Sequence, residues 1–379
     1  MKLTLRYILT LVLWCITTGC TSPTAELPTL TATIALPSAS APPAAQTATS
    51  TPVPTATPMP SATPTPIAPP TATDIAIGDL PVIALNTVDQ VKPLIENLQG
   101  SANTVSWSAD SQILAVTNRQ EVFLYASSDF HLLKRLPIQE AFWVAFSPTV
   151  STTLATTNEL GLVQVWDVAT ESVLHEFKTA IFNGSPVFSP NGNWLAVGTS
   201  QDDVWVWDLT VGQQRYQLPV YEGDVFDVVF SSDSQTLISG STDGGIDFWS
   251  LQSGKAVYAS PAYRSAVWRL AYNPNWPELV ATFYGEGIIQ VWSTDPIKLL
   301  VTLGDDRQQE IESVAYSPNG QLLVAGGTVI QFWDRQTRHV AHTLAPCSCE
   351  TYALAFSPDG RLLASVTNEG QVTVWAITP

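Results

Sequence analysis

Residues 161–167 read Gly-Leu-Val-Gln-Val-Trp-Asp. This is a short apolar run, broken once by Gln164, that ends on an indole and has the length and alternation of a strand. The same aromatic ending recurs every 41 to 43 residues, at Tyr125, Trp166, Trp207, Trp249, Trp292, Trp333 and Trp375. A fixed period of this size marks a repeat architecture and outranks any local propensity. It bears on function too, since repeated units offer one broad surface built from equivalent positions.

A second landmark lies 16 to 19 residues before each aromatic ending. The series begins with Ser108-Ala109-Asp110-Ser111, Ser147-Pro148, Ser189-Pro190-Asn191-Gly192 and Ser231-Ser232-Asp233-Ser234. Asn273-Pro274, Ser317-Pro318-Asn319-Gly320 and Ser357-Pro358-Asp359-Gly360 continue it. Such residues make tight turns: Pro presets φ, Asp or Asn bonds back to the backbone, and Gly accepts positive φ. A short apolar run precedes each turn, as at 225–230, and another follows it, as at 362–366. Short strands at this spacing indicate antiparallel propeller blades, hence an all-β fold.

This order, a Ser-Pro-Asp-Gly turn, an apolar strand, a loop and then a strand ending in Trp-Asp, resembles the WD40 repeat family. The resemblance runs over about residues 82–379 and implies a seven-bladed β-propeller. Trp166-Asp167, Trp207-Asp208 and Trp333-Asp334 keep the full dipeptide; the other repeats do not. The family's Gly-His pair is missing throughout, with Gln99-Gly100, Ile138-Gln139 and Tyr221-Glu222 at three of its positions. In the family that His joins a loop Asp, a strand Ser or Thr and the Trp in a buried tetrad. Here Asp243 is placed to supply part of it for Trp249, with Asn118, Asn158 and Asn368 at similar loop positions. Each indole N–H then needs another buried acceptor, and blade stability is expected to rest on aromatic packing. Family repeats begin with the outer strand of the preceding blade, so residues 91–98 are expected to complete the blade that ends at Trp375.

The resemblance also points to one face. WD40 domains commonly dock partners around the central channel, at residues that start the innermost strands. Matched by their distance before each turn, these are Phe142 and Trp143, Phe226 and Asp227, Trp268 and Arg269, Glu312 and Ser313, and Tyr352. Aromatic and Arg side chains are the types that carry binding energy, and about half of these residues are expected to be exposed. Trp205 is expected to pack against a neighbouring blade.

Catalytic signals are sparse. Of four histidines, His131 and His175 fall in expected outer strands, and His339 and His342 alternate to opposite faces of one strand. No nucleophile elbow, Walker loop, His-Glu-x-x-His or EF-hand loop is present. Gly285-Glu286-Gly287 reads as a turn, and Asp202-Asp203 and Asp305-Asp306 read as solvated loop pairs, with calcium as the minor alternative. No catalytic residue, metal or cofactor is expected.

The chain opens with Lys2 and Arg6 before an apolar stretch, residues 7–16, too short to span a bilayer. Thr17-Thr18-Gly19-Cys20 follows and resembles the lipobox of bacterial lipoproteins, although Thr17 stands where Leu is commoner. That resemblance implies that residues 1–19 are a signal peptide and that Cys20 carries the lipid; an ordinary signal peptide cleaved nearby, or a retained anchor, is the alternative. Residues 20–73 are rich in Thr, Pro, Ala and Ser with Glu26 as the sole charge, a composition that favours a disordered stalk. Fully extended as polyproline II it reaches about 160 Å.

Residues 74–379, the expected propeller domain, hold 14 Lys and Arg against 32 Asp and Glu, a balance of −18. Nothing in that charge attracts phosphate backbones or anionic lipid. Cys347 and Cys349 are either a small disulfide or two free thiols; a zinc site would need ligands from elsewhere. The leading expectation is a non-enzymatic, monomeric, lipid-anchored scaffold outside the cytoplasm that binds a protein partner, with no nucleic acid. A small-molecule or glycan receptor using Trp143, Trp268 and Tyr352 in the channel is the alternative, and a hydrolase or lyase the third.

Overall fold

The computed structural model describes residues 77–379 apart from 137, 139, 180–183, 221–222, 305–309, 346–348 and 379. Cys20, the expected stalk, Asp305-Asp306 and Cys347 lie outside the described residues.

The described chain forms seven four-stranded antiparallel sheets. Their first strands are Thr104–Trp107, Trp143–Phe146, Val187–Phe188, Val225–Phe230, Val267–Tyr272, Ile311–Tyr316 and Thr351–Phe356. Each of these touches its counterparts in the preceding and following sheets, and the last touches the first, so they form the inner ring of a closed propeller. Blades 1 to 7 are numbered in that order.

Burial follows position. The second strand of blade 5, Glu278–Phe283, is buried at every residue, because neighbouring blades cover both of its faces. That accounts for the continuous apolar runs after each turn. The outermost strand of blade 2, Ser172–Lys178, lies at the circumference and is mostly exposed. Hydrophobic clusters lie between consecutive blades: Trp107, Leu114 and Val116 of blade 1, for example, pack with Val366 and Val374 of blade 7. Trp205 belongs to the cluster shared by blades 2 and 3.

Blade 7 takes its outermost strand from the other end of the chain. Val91–Ile95 pairs antiparallel with Val372–Ile377, with Val91 opposite Ile377 and Pro93 opposite Trp375. Proline is tolerated there because an edge strand needs no outward donor. Pairing continues past the strand, where Leu98 N–H donates to the Val372 carbonyl at 3.1 Å. The segment just before it is also anchored: Ile83 and Val88 are buried with Leu322, Phe332 and Trp375 between blades 6 and 7. Closure leaves no inner strand of the ring without a neighbouring blade on each side.

The turns take the form their residues suggest. Ser357 Oγ donates to Asp359 Oδ1 at 2.6 Å, that oxygen accepts from Arg361 N–H at 3.1 Å, and Gly360 has φ +74°. The arrangement recurs at Ser108–Asp110, Ser189–Asn191, Ser231–Asp233 and Ser317–Asn319.

The repeat tryptophans depart from the expected tetrad. Asp243 receives the Ser241 hydroxyl and the Gly245 N–H, so it shapes its own loop and does not reach Trp249. Trp249 Nε1 donates instead to Ser239 Oγ at 3.0 Å, and Trp375 Nε1 to Ser365 Oγ at 2.8 Å. Trp292 uses Gln290 Oε1 at 3.1 Å. Trp166 and Trp333 have buried Nε1 atoms without an acceptor, contrary to the expectation of a partner for each indole. Packing holds these two rings.

Candidate functional site

The innermost strand of each blade has only one neighbour in its own sheet, so its other edge must be satisfied within the ring. Asp227 does this between blades 4 and 5: its Oδ2 accepts the Leu270 N–H at 2.8 Å. Ser313 donates to the Thr351 carbonyl between blades 6 and 7 at 3.1 Å. Thr117 donates to the Phe142 carbonyl between blades 1 and 2 at 3.1 Å.

Phe226, Trp268, Glu312 and Tyr352 sit where the pairing of the first two strands shifts register, each at the same place in its blade. Phe142 lies at the matching distance before its turn, and Asn103 and Gly184 complete the ring of seven positions. A bulge at a strand end re-aims the side chain it carries. Five large side chains from five blades therefore gather on the rim where the inner strands begin. At Gly184 a Cβ would stand 2.6 Å from the Phe226 carbonyl oxygen, so this position in blade 3 admits no side chain without a shift.

The rim residues pack on one another. Phe142 and Trp143 have ring centroids 4.2 Å apart, with the Arg119 guanidinium 4.7 Å over Phe142. Trp268 is 5.1 Å from Phe226 on one side and 5.1 Å from Tyr284 on the other, with Arg269 5.0 Å over its ring. Tyr352 Oη donates to the Ala102 carbonyl at 2.8 Å. This mutual packing corrects the expectation that half of the named residues are exposed. Phe226 is buried, and Phe142, Trp143, Asp227, Trp268, Arg269, Glu312 and Tyr352 are half-buried.

Charge concentrates in the same sector. Burial pushes the Glu312 carboxyl up to about 7; Arg269 opposes the shift, and Glu310 and Glu350 add to it. Burial likewise raises Asp227 to about 6 against the pull of Arg269. Burial raises Tyr352 to about 12, with Arg119 and Arg269 opposing. The Trp268 Nε1–H lies close enough to favour an ionised Glu312, yet it is not aligned with any acceptor. Three of these contributors, Tyr284, Glu310 and Glu350, have no counterpart among the sequence candidates. Tyr284 follows a second strand and Glu350 precedes a first one, so counting back from the turn does not find them.

The remaining sequence candidates fall apart. Glu286 of the Gly-Glu-Gly turn is held by Arg264, at 2.9 and 2.7 Å, and by Ser265 at 2.5 Å. Asp203 is not solvated as expected: it is buried and receives Thr199 Oγ1, Trp205 Nε1 and Gln217 Nε2. His131 is exposed beside Asp129, and His339 precedes the strand Val340–Leu344 that contains His342. Among the described residues no three His, Cys, Asp or Glu side chains group as metal ligands. Cys349 is disulfide-bonded.

Comparison with known proteins fits this architecture. The family model "WD domain, G-beta repeat" matches residues 212–250, 297–339 and 335–376. The fold is a seven-bladed propeller, and these three stretches match the WD40 repeat model. Each match starts near the outermost strand of one blade and ends near the Trp of the next. Protein groucho of Drosophila melanogaster is 31% identical over 101 residues, covering 24% of this chain and 14% of that protein. Transducin-like enhancer protein 2 of Mus musculus is 32% identical over 101 residues, covering 24% of this chain and 13% of its own. The chain thus spans less than a fifth of the length of these relatives.

Proposed function

We propose that this protein is a non-enzymatic scaffold, held to the extracytoplasmic face of a bacterial membrane through Cys20, that docks a protein partner on the rim of its propeller. The observation that carries the reading is the rim itself. One bulge position, used in successive blades, brings Phe226, Trp268, Glu312 and Tyr352 to the same mouth, with Phe142 at the matching position. Partly buried aromatic side chains beside Arg and carboxylates form the kind of surface on which binding energy concentrates. The WD40 repeats support an interaction role, and the leader with its Thr/Pro-rich extension supports the anchored location.

Crosslinking in intact cells, followed by capture of this protein, tests the proposal. Wild type is expected to recover one defined protein that the Trp143→Ala/Trp268→Ala double variant loses at equal expression. Recovery that does not differ between the two excludes rim docking. A protein that partitions into the aqueous phase after detergent extraction, with or without Cys20→Ala, excludes the lipid anchor.

A further inference from the structure

One cation of the rim has no counterion. Arg269, Arg335, Arg338 and Arg361 are half-buried, and each donates to a carbonyl or pairs with a carboxylate. Arg119 is equally half-buried and, alone among them, does neither with any described residue. Glu121 of the same loop and Glu140 just before Phe142 leave it unpaired, although residues 74–379 carry a balance of −18.

Arg119 is also held at a conformational cost. Its φ is +70°, whereas the matching loops of blades 2, 4, 5 and 7 place Gly161, Gly244, Gly285 and Gly370 at their left-handed residue. A long side chain kept where glycine fits best points to a use for that side chain. Its guanidinium lies 4.7 Å over the Phe142 ring. Stacking covers one face and leaves the N–H edge, whose fork matches the two oxygens of a carboxylate.

A second donor stands beside it. Asn103, the rim position of blade 1, has no hydrogen-bond partner for Nδ2. Its backbone N–H donates to the Thr117 carbonyl at 2.7 Å, and Thr117 Oγ1 donates to the Phe142 carbonyl at 3.1 Å. Asn103, the Arg119 loop and Phe142 are thereby tied together across blades 1 and 2. Buried amide donors are ordinarily paired, and this one turns toward an incoming acceptor about a broad terminal torsion.

We propose that blades 1 and 2 form a carboxylate-recognition site, in which Arg119, backed by Phe142, takes an aspartate or glutamate side chain of the partner protein, with Asn103 as the second donor. The inference rests on rim docking and adds the chemistry of the partner. Docking across the rim engages blades on both sides of this pair, so the carboxylate belongs to a side chain of a continuing segment and not to a chain end. The acidic balance of the domain opposes such a partner only at long range. At physiological salt charges are screened over about 8 Å, and contact with Arg119 decides.

The test is a titration of the full chain, labelled with nitrogen-15 arginine, that follows the Arg119 Nε signal by nuclear magnetic resonance. The probes are the blocked tripeptide acetyl-Gly-Glu-Gly-amide, its Gln counterpart, and acetyl-triglycine with a free C-terminus. The Glu peptide is expected to shift the signal saturably and to bind at least about tenfold more tightly than either of the others. For the variants, binding is followed on the peptide's own signals. Arg119→Gly is expected to abolish binding while its urea midpoint stays no lower than that of wild type, since glycine accepts the left-handed backbone. Asn103→Asp, which sets a like charge beside the incoming carboxylate, is expected to weaken binding at least about tenfold. Arg215→Gln, an exposed outer-strand arginine stacked on Tyr216, is expected to change nothing. Equal binding of the Glu and Gln peptides overturns the site, as does unaltered binding to Arg119→Gly. Tighter binding of the free C-terminus overturns the side-chain source. A partner captured from cells by wild type and Arg119→Gly alike, yet lost with Trp143→Ala/Trp268→Ala, removes this site and leaves rim docking standing.

Discussion

At the scale of single residues, the rim carboxylates make stability depend on pH in a defined direction. Folding raises Asp227 from 3.8 to about 6 and Glu312 from 4.5 to about 7. Between the unfolded and folded values the native state holds the extra protons, so this stability is present at low pH and lost as pH rises toward 7. Urea unfolding is therefore expected to show Glu312→Gln more stable than wild type at pH 8, by about 1–3 kcal/mol, with no difference at pH 4. The same small effect at both pH values would place Glu312 in water. Asp227 differs because its ionised form accepts the Leu270 N–H. Asp227→Ala is expected to cost about 1–3 kcal/mol, with Asp227→Asn recovering most of it. The glutamates 310, 312 and 350 are plain in the sequence, but their convergence is not. A carboxylate at an ordinary loop position looks solvated until burial and like-charged neighbours are known.

At the scale of elements, blades are joined by polar contacts as well as by apolar clusters. Glu278 on the second strand of blade 5 is buried; it receives two bonds from Arg338, one of them to Oε1 at 3.1 Å, and one from Tyr316 at 2.6 Å. Burial works against its ionised form, but Arg338, Tyr316 and Arg335 outweigh it and hold its pKa below the ordinary value. Removing one partner of such a pair strands the other, so Arg338→Ala is expected to destabilise the domain by about 3–5 kcal/mol in equilibrium unfolding. A loss below 1 kcal/mol would mean that water replaces the pair freely. Within a blade, Ser239→Ala leaves the Trp249 indole without an acceptor and is expected to cost about 1–3 kcal/mol. The strands and turns of these blades are legible from the apolar runs and the Ser-Pro-Asp-Gly pattern, because both are local. The acceptors for Trp249 and Trp375 were open to the same reading, since Ser239 and Ser365 stand ten residues before their indoles in two different blades. Glu278 reaching Arg338 across sixty residues leaves no such periodic trace.

At the scale of the whole molecule, closure of the ring and display of the rim are one property. The inner strands touch in a cycle, and the blade that joins the two ends of the domain depends on Val91–Ile95. Removing residues 74–99 also takes away buried Ile83 and Val88, and is expected to abolish cooperative unfolding as followed by tryptophan fluorescence. A truncated chain that melts like the intact one would contradict closure. The repeat period announces the propeller, yet the partner is not written in it, since a period specifies positions and says nothing of what meets them. The most direct measurement of rim docking is site-specific photocrosslinking in intact cells, with a photoreactive residue at position 352 on the rim or at position 174 on the exposed outer strand of blade 2. Rim docking requires a single adduct from position 352 and none from position 174. An adduct from position 174 alone, or the same adduct from both, would contradict it.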